Sequence, residues 1–83
     1  MSASSESPVG LTGHVSLQGA IRPGRVGEVL IPIRGGVEAF LARDADGGEI
    51  AAGEEIVVVE RVAAREVLVT RLYEQPTRQE PSA

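Results

Sequence analysis

The sequence predicts an all-β fold in which five short strands close into a small barrel. Apolar residues alternate with polar ones or form short β-branched runs, and turns rich in glycine and proline separate these runs at short intervals. No segment has a convincing helical period. Five strands in roughly 60 ordered residues are enough to curl into a barrel, which removes exposed sheet edges.

A hairpin between residues 22 and 42 is the centre of the predicted barrel. Its strands are expected at residues 25–33 and 37–42, joined where Gly35 and Gly36 can accept positive φ angles cheaply. We expect the other strands to close around this hairpin.

The strand before the hairpin is expected to begin near Thr12. Polar and apolar residues alternate there with a period of two, which predicts that Val15, Leu17 and Ile21 point inward. Gly19 has no side chain to pack and therefore predicts a bend or bulge.

The second half supplies a loop and two more strands. Residues 43–53 are loop-like, with Ile50 expected to enter the core. The strand at residues 55–60 contains four consecutive β-branched residues, which favours a strand covered on both sides. The last strand is expected at residues 67–72. The arrangement of five strands fits an OB-type barrel best, with an SH3-like barrel as the alternative.

The domain organisation is simple. Residues 10–74 are expected to form one domain, because 83 residues can hold no more than one. Residues 1–9 and 75–83 are rich in Ser, Glu, Gln and Pro, and we expect both to be disordered tails.

Composition excludes several classes of protein. Without cysteine there is no disulfide or thiolate metal site, and without lysine there is no attachment point for biotin or lipoate. The net charge of −4 opposes non-specific nucleic-acid binding. The longest aliphatic run, residues 56–59, is far shorter than the roughly 20 residues of a membrane-spanning helix. We expect a soluble, cytoplasmic protein.

Catalytic and metal-binding chemistry has weak support. His14 and Ser16 lie two positions apart on one strand, but no third group is placed by spacing, and a solvated strand histidine is the simpler interpretation. Asp44 and Asp46, with Glu55, echo a calcium loop, but Glu49 occupies the position that needs glycine, so a plain turn is favoured. We predict no enzyme activity, catalytic residue, cofactor or metal.

The outer face of the hairpin is the candidate interface. Leu30, Pro32 and Phe40 are apolar residues that we expect on this face. OB-type folds commonly bind ligands across their second and third strands. The alternative for Phe40 is that it caps the barrel core, since a small barrel needs every large apolar group it has.

Glycines and aliphatic residues recur along residues 10–73 in a characteristic pattern: Gly10, Gly13 and Val15; Ile21, Pro23 and Gly24; Gly27, Val29 and Ile31; Ala39; Ile50, Gly53, Ile56, Val58 and Val59; Val67 and Val69. This pattern resembles the C-terminal soluble domain of the NfeD-like family. The resemblance implies a five-stranded OB-fold barrel with a scaffold role, acting with stomatin/flotillin-type (SPFH) membrane proteins. The sequence lacks the transmembrane helices and protease-like domain of longer members, so the resemblance implies neither anchoring nor proteolysis.

The favoured hypothesis is therefore a non-enzymatic interaction module. Its expected partner is an SPFH-type membrane scaffold or a second copy of the chain. The alternative is an OB-fold that binds single-stranded nucleic acid, which the fold allows but the charge and scarce aromatic rings oppose. A small hydrolase using His14 is the least supported hypothesis.

Overall fold

The computed structural model describes residues 7–73 and confirms the all-β prediction. Within that range the chain forms five strands and no helix: β1 Thr12–Val15, β2 Gly27–Ile33, β3 Gly36–Asp44, β4 Glu55–Ala63 and β5 Glu66–Arg71. The tails predicted to be disordered lie outside the described residues, except for residues 7–9. In that short segment Pro8 is fully buried.

The five strands close into a barrel in the order β1-β2-β3-β5-β4, and β4 pairs with β1 to complete the circle. Neighbouring strands are antiparallel except β3 and β5, which run parallel. Two parallel strands need a crossover connection, and here β4 forms part of it. This strand order is that of an OB-type barrel, so the first of the two predicted architectures is confirmed.

The central hairpin turns one residue earlier than predicted. Arg34 and Gly35 form a two-residue turn, with φ angles of 55° and 79°. Two consecutive positive φ angles are typical of a type I′ turn, whose twist matches that of the flanking strands. Gly36 is therefore the first residue of β3, where it pairs with Ile33.

The core fills the inside of the barrel with branched aliphatic side chains. Ile50, in the loop before β4, is fully buried and confirms the predicted core contact. It exchanges backbone hydrogen bonds of 2.9 and 3.0 Å with Ile21, which ties the loop before β4 to the connection between β1 and β2. The buried apolar residues are Val15, Ile21, Val29, Ile31, Phe40, Ala42, Ile50, Ile56, Val58, Val67 and Val69.

One predicted inward position is wrong. Leu17 is 84% exposed, because β1 ends at Val15 and the chain then turns. The turn is fixed by a hydrogen bond of 3.1 Å from the Gly19 amide to the Ser16 carbonyl.

The prediction that β4 is covered on both sides is also wrong. Its β-branched run is covered on one side only, since Val59 is 44% exposed, next to a bulge in the pairing with β5.

Candidate docking face

Five apolar residues occupy the outward side of the β2–β3 hairpin. Residues directly opposite each other in an antiparallel pair point to the same face. Leu30 lies opposite Ala39, Pro32 lies opposite Val37, and Leu41 lies opposite Glu28. Val37 and Leu41 are 64% and 47% exposed, although both are large and apolar. We call these residues the apolar outer face: Leu30, Pro32, Val37, Ala39 and Leu41.

Phe40 does not belong to this face, so its predicted place beside Leu30 and Pro32 is wrong. Its side chain is only 3% exposed and belongs to the core. It lies directly opposite Val29, which points into the barrel. The alternative that Phe40 contributes to the core is the one that the structure bears out, whereas Leu30 and Pro32 do lie outside.

The sequence interpretation missed Val37 and Leu41 as surface residues of this face. Cross-strand pairing is the signal that could have found them. A two-residue turn pairs Pro32 with Val37 and Glu28 with Leu41, and it places each pair on one side of the sheet.

Arg65 borders the hairpin at the β4–β5 turn. Its guanidinium carbon lies 5.0 Å from the centre of the Phe40 ring, within the range of a cation–π contact. The same group donates a hydrogen bond of 2.7 Å to the Ala39 carbonyl and lies 3.6 Å from the Glu38 carboxylate. Arg65 therefore links the β4–β5 turn to β3 at the margin of the apolar outer face.

A shallow groove extends the exposed apolar surface towards β1. It has a volume of about 310 Å³, and both Leu17 and Leu30 line it. The Glu28 carboxylate also lines it and accepts a hydrogen bond of 2.8 Å from the Ser16 hydroxyl. The turn after β1 thus presents Leu17 next to the apolar outer face.

The residues considered for catalysis are not brought together. His14 is exposed on β1, opposite Leu30 on one side and Glu55 on the other. Ser16 is buried and donates its hydroxyl to Glu28 rather than to the imidazole. The histidine is therefore not hydrogen-bonded to the serine, as a serine–histidine pair of nucleophile and base would be.

The aspartates of the loop after β3 stabilise that loop themselves. The Asp44 carboxylate accepts hydrogen bonds of 3.0 and 3.1 Å from the amides of Asp46 and Gly48. Such bonds are typical of a plain turn. Across residues 7–73 no three His, Cys, Asp or Glu side chains are grouped so that they could hold a metal ion. The same range contains no helix long and apolar enough to span a membrane.

The closed barrel agrees with the family comparison. The sequence model of the NfeD C-terminal domain family matches residues 12–70, from the start of β1 almost to the end of β5. The chain belongs to the NfeD C-terminal domain family. The match spans every strand of the barrel, so the family and the strand order support each other.

Two solved structures are similar to this NfeD-like chain. One is the C-terminal domain of stomatin operon partner protein 1510-C from Pyrococcus horikoshii, with 28% identity, a TM-score of 0.62, and coverage of 81% of this chain and 91% of that one. The other is the soluble domain of the NfeD protein YuaF from Bacillus subtilis, with 28% identity, a TM-score of 0.63, and coverage of 76% and 71%. No curated protein sequence matches the chain.

Proposed function

We propose that this NfeD-like domain is a non-enzymatic docking module that binds a stomatin/flotillin-type (SPFH) membrane protein through the apolar outer face. The observation that carries the proposal is the exposure of Val37 and Leu41 beside Leu30 and Pro32 on one side of the β2–β3 hairpin. The core lies on the other side of the same strands, so the barrel does not need these side chains for its own packing. Contiguous exposed apolar surface often marks a site of protein association.

The comparison supports this choice of partner. The structure from Pyrococcus horikoshii belongs to a stomatin operon partner protein, and this chain shares its barrel and its family. The cytoplasmic location expected from the sequence is part of the same proposal. Single-stranded nucleic acid fits less well, because the five residues of the apolar outer face include no aromatic ring and the net charge is −4.

A non-enzymatic role is supported by the separation of the reactive side chains. The Ser16 hydroxyl is occupied by Glu28, and Asp44 is occupied by its own loop. Neither group is left poised beside His14. A docking role needs only a stable barrel and an exposed surface.

The test is isothermal titration calorimetry, in which the chain is titrated with the soluble part of a stomatin-type protein from the same genome. Val37→Glu should weaken binding by tenfold or more, because it removes about 1 kcal/mol of apolar burial and forces a charge into the contact. Val62→Glu is the matched control, since Val62 is an exposed valine on β4 and lies outside the apolar outer face. Equal binding by both variants would contradict the proposal, as would binding of a second copy of the chain in place of the partner.

A further inference from the structure

The connection between β1 and β2 contains a tight turn with an arginine at each end. Arg22 and Arg25 pair across Pro23 and Gly24, with backbone hydrogen bonds of 3.3 Å from the Arg22 amide and 2.9 Å from the Arg25 amide. Gly24 supplies the positive φ angle of 73° that this turn requires. Residues paired in this way carry their side chains on the same face, so both arginine side chains leave the turn on one side.

These two arginines have no partner within residues 7–73. Neither forms a hydrogen bond or an ion pair through its side chain with a described residue, although both are exposed. Like charges placed directly opposite each other are destabilising. The remaining arginines of that range all have contacts: Arg34 has one, Arg43 pairs with Glu66, Arg61 donates to the Ala64 carbonyl, Arg65 pairs with Glu38, and Arg71 pairs with Glu54.

The paired arginines line a groove of about 530 Å³ that also includes Leu41. Leu41 belongs to the apolar outer face, so the groove opens directly onto that face. Glu28 is the acidic residue of the groove lining, and its carboxylate accepts the hydrogen bond from Ser16. Two guanidinium groups against one carboxylate leave this groove positive in a chain whose net charge is −4.

We infer that the Arg22–Arg25 groove binds a carboxylate side chain of an acidic and apolar segment of a partner protein, whose apolar residues lie on the outer face. The inference rests on the proposed docking function and adds the chemistry of the partner. A guanidinium group matches a carboxylate through two parallel hydrogen bonds, and two adjacent groups can share one or two carboxylates. Placing that contact next to Leu41 gives the segment a polar anchor and a fixed direction.

An anionic membrane surface is the competing ligand, and the charge distribution opposes it. Stable attraction to anionic lipids uses clusters of four to eight basic residues, whereas this groove has two. An extended anionic surface also faces the net charge of −4 over the rest of the chain, whereas a short segment faces only the groove. Charge complementarity with a short acidic segment is the better fit.

The test is a selection of random 12-residue peptides, displayed on phage, against the immobilised 83-residue chain. Peptides with Asp or Glu next to large apolar residues should be enriched. The affinities of individual labelled peptides are then measured by fluorescence anisotropy. The double variant Arg22→Gln with Arg25→Gln should bind them about 3- to 30-fold more weakly, as two surface ion pairs allow. Arg61→Gln is the control, because Arg61 is an exposed arginine on β4 outside the groove.

Several outcomes would overturn the inference. They are the enrichment of no peptide, the enrichment of peptides without acidic residues, and equal binding by the double variant and the wild type. Sedimentation with phosphatidylserine vesicles that depends on both arginines would also overturn it, in favour of a membrane. The Val37→Glu variant separates this inference from the docking function: peptides that tolerate the arginine changes but lose affinity with Val37→Glu would refute the groove and leave the docking face standing.

Discussion

Gly27, at the start of β2, should tolerate no side chain. It is buried opposite Ala42, and a Cβ atom added there would lie 2.2 Å from the Gly19 carbonyl oxygen and 2.7 Å from the Ile21 side chain. Ordinary carbon–oxygen contacts are about 3.3 Å or longer, so the overlap with a backbone atom is about 1 Å. The connection from β1 must then move away from β2, and overpacking of this kind costs about 3 kcal/mol or more.

The assay is urea unfolding of Gly27→Ala, followed by far-ultraviolet circular dichroism. A domain of this size has a total unfolding free energy of about 3–10 kcal/mol, so the variant should be marginally stable or unfolded at 25 °C. Gly36→Ala is the matched control. Its added Cβ would find its nearest neighbour, the Ile33 carbonyl oxygen, at 4.0 Å, and Gly36 does not have a positive φ angle. We expect its unfolding free energy to change by less than about 0.5 kcal/mol. A Gly27→Ala variant as stable as Gly36→Ala would refute the close packing of the β1–β2 connection against β2.

Three further predictions use the same unfolding assay. Gly35→Ala should cost about 1–2 kcal/mol, since the turn holds that residue at a φ angle of 79°; an unchanged midpoint would contradict the type I′ turn. A double-mutant cycle of Phe40→Leu and Arg65→Ala should give a coupling free energy of about 0.5–1 kcal/mol. A value of zero would show that the cation–π contact does not contribute to stability. Arg71→Ala should cost about 1 kcal/mol, because Arg71 pairs with Glu54 at 2.8 Å and is partly exposed. This loss should shrink in 1 M salt, and a salt-independent loss would indicate that packing, not charge, is responsible.

Much of the barrel could be predicted from alternation and turn chemistry. Val29 and Ile31 alternate with less apolar neighbours, and the glycines near residue 35 mark the hairpin. Leu17 shows where this reasoning fails. The period of two continues to Leu17 in the sequence, but the backbone turns after Val15, and a pattern of side chains does not reveal where pairing stops.

Phe40 shows a second kind of failure. The residues of β3 are apolar on both faces, so alternation alone does not reveal which face is buried. A two-residue turn at Arg34–Gly35 pairs Phe40 with Val29, and a turn one residue later would pair it with Ile31. Both partners point into the barrel. Pairing across the hairpin therefore determines the position of Phe40, and the exposed pair Val37 and Leu41 follows from the same rule.

The bulges of β4 had no signal in the sequence. They occur next to Val59 and Val62, in a run of β-branched and charged residues that is compatible with regular pairing. They lie where β4 has passed the end of its pairing with β1 and pairs with β5 alone. The Arg22–Arg25 groove also depended on the structure, since the absence of partners within the described residues is a property of the folded chain.

The measurement that tests the docking face most directly is a heteronuclear NMR titration of the ¹⁵N-labelled chain with the soluble part of a stomatin-type protein from the same genome. Binding through the apolar outer face predicts that amide signals of Leu30, Val37 and Leu41 shift or broaden first, while those around Val62 on β4 stay in place. Changes confined to β4 and β5, or no change at saturating partner concentration, would contradict this account of the domain.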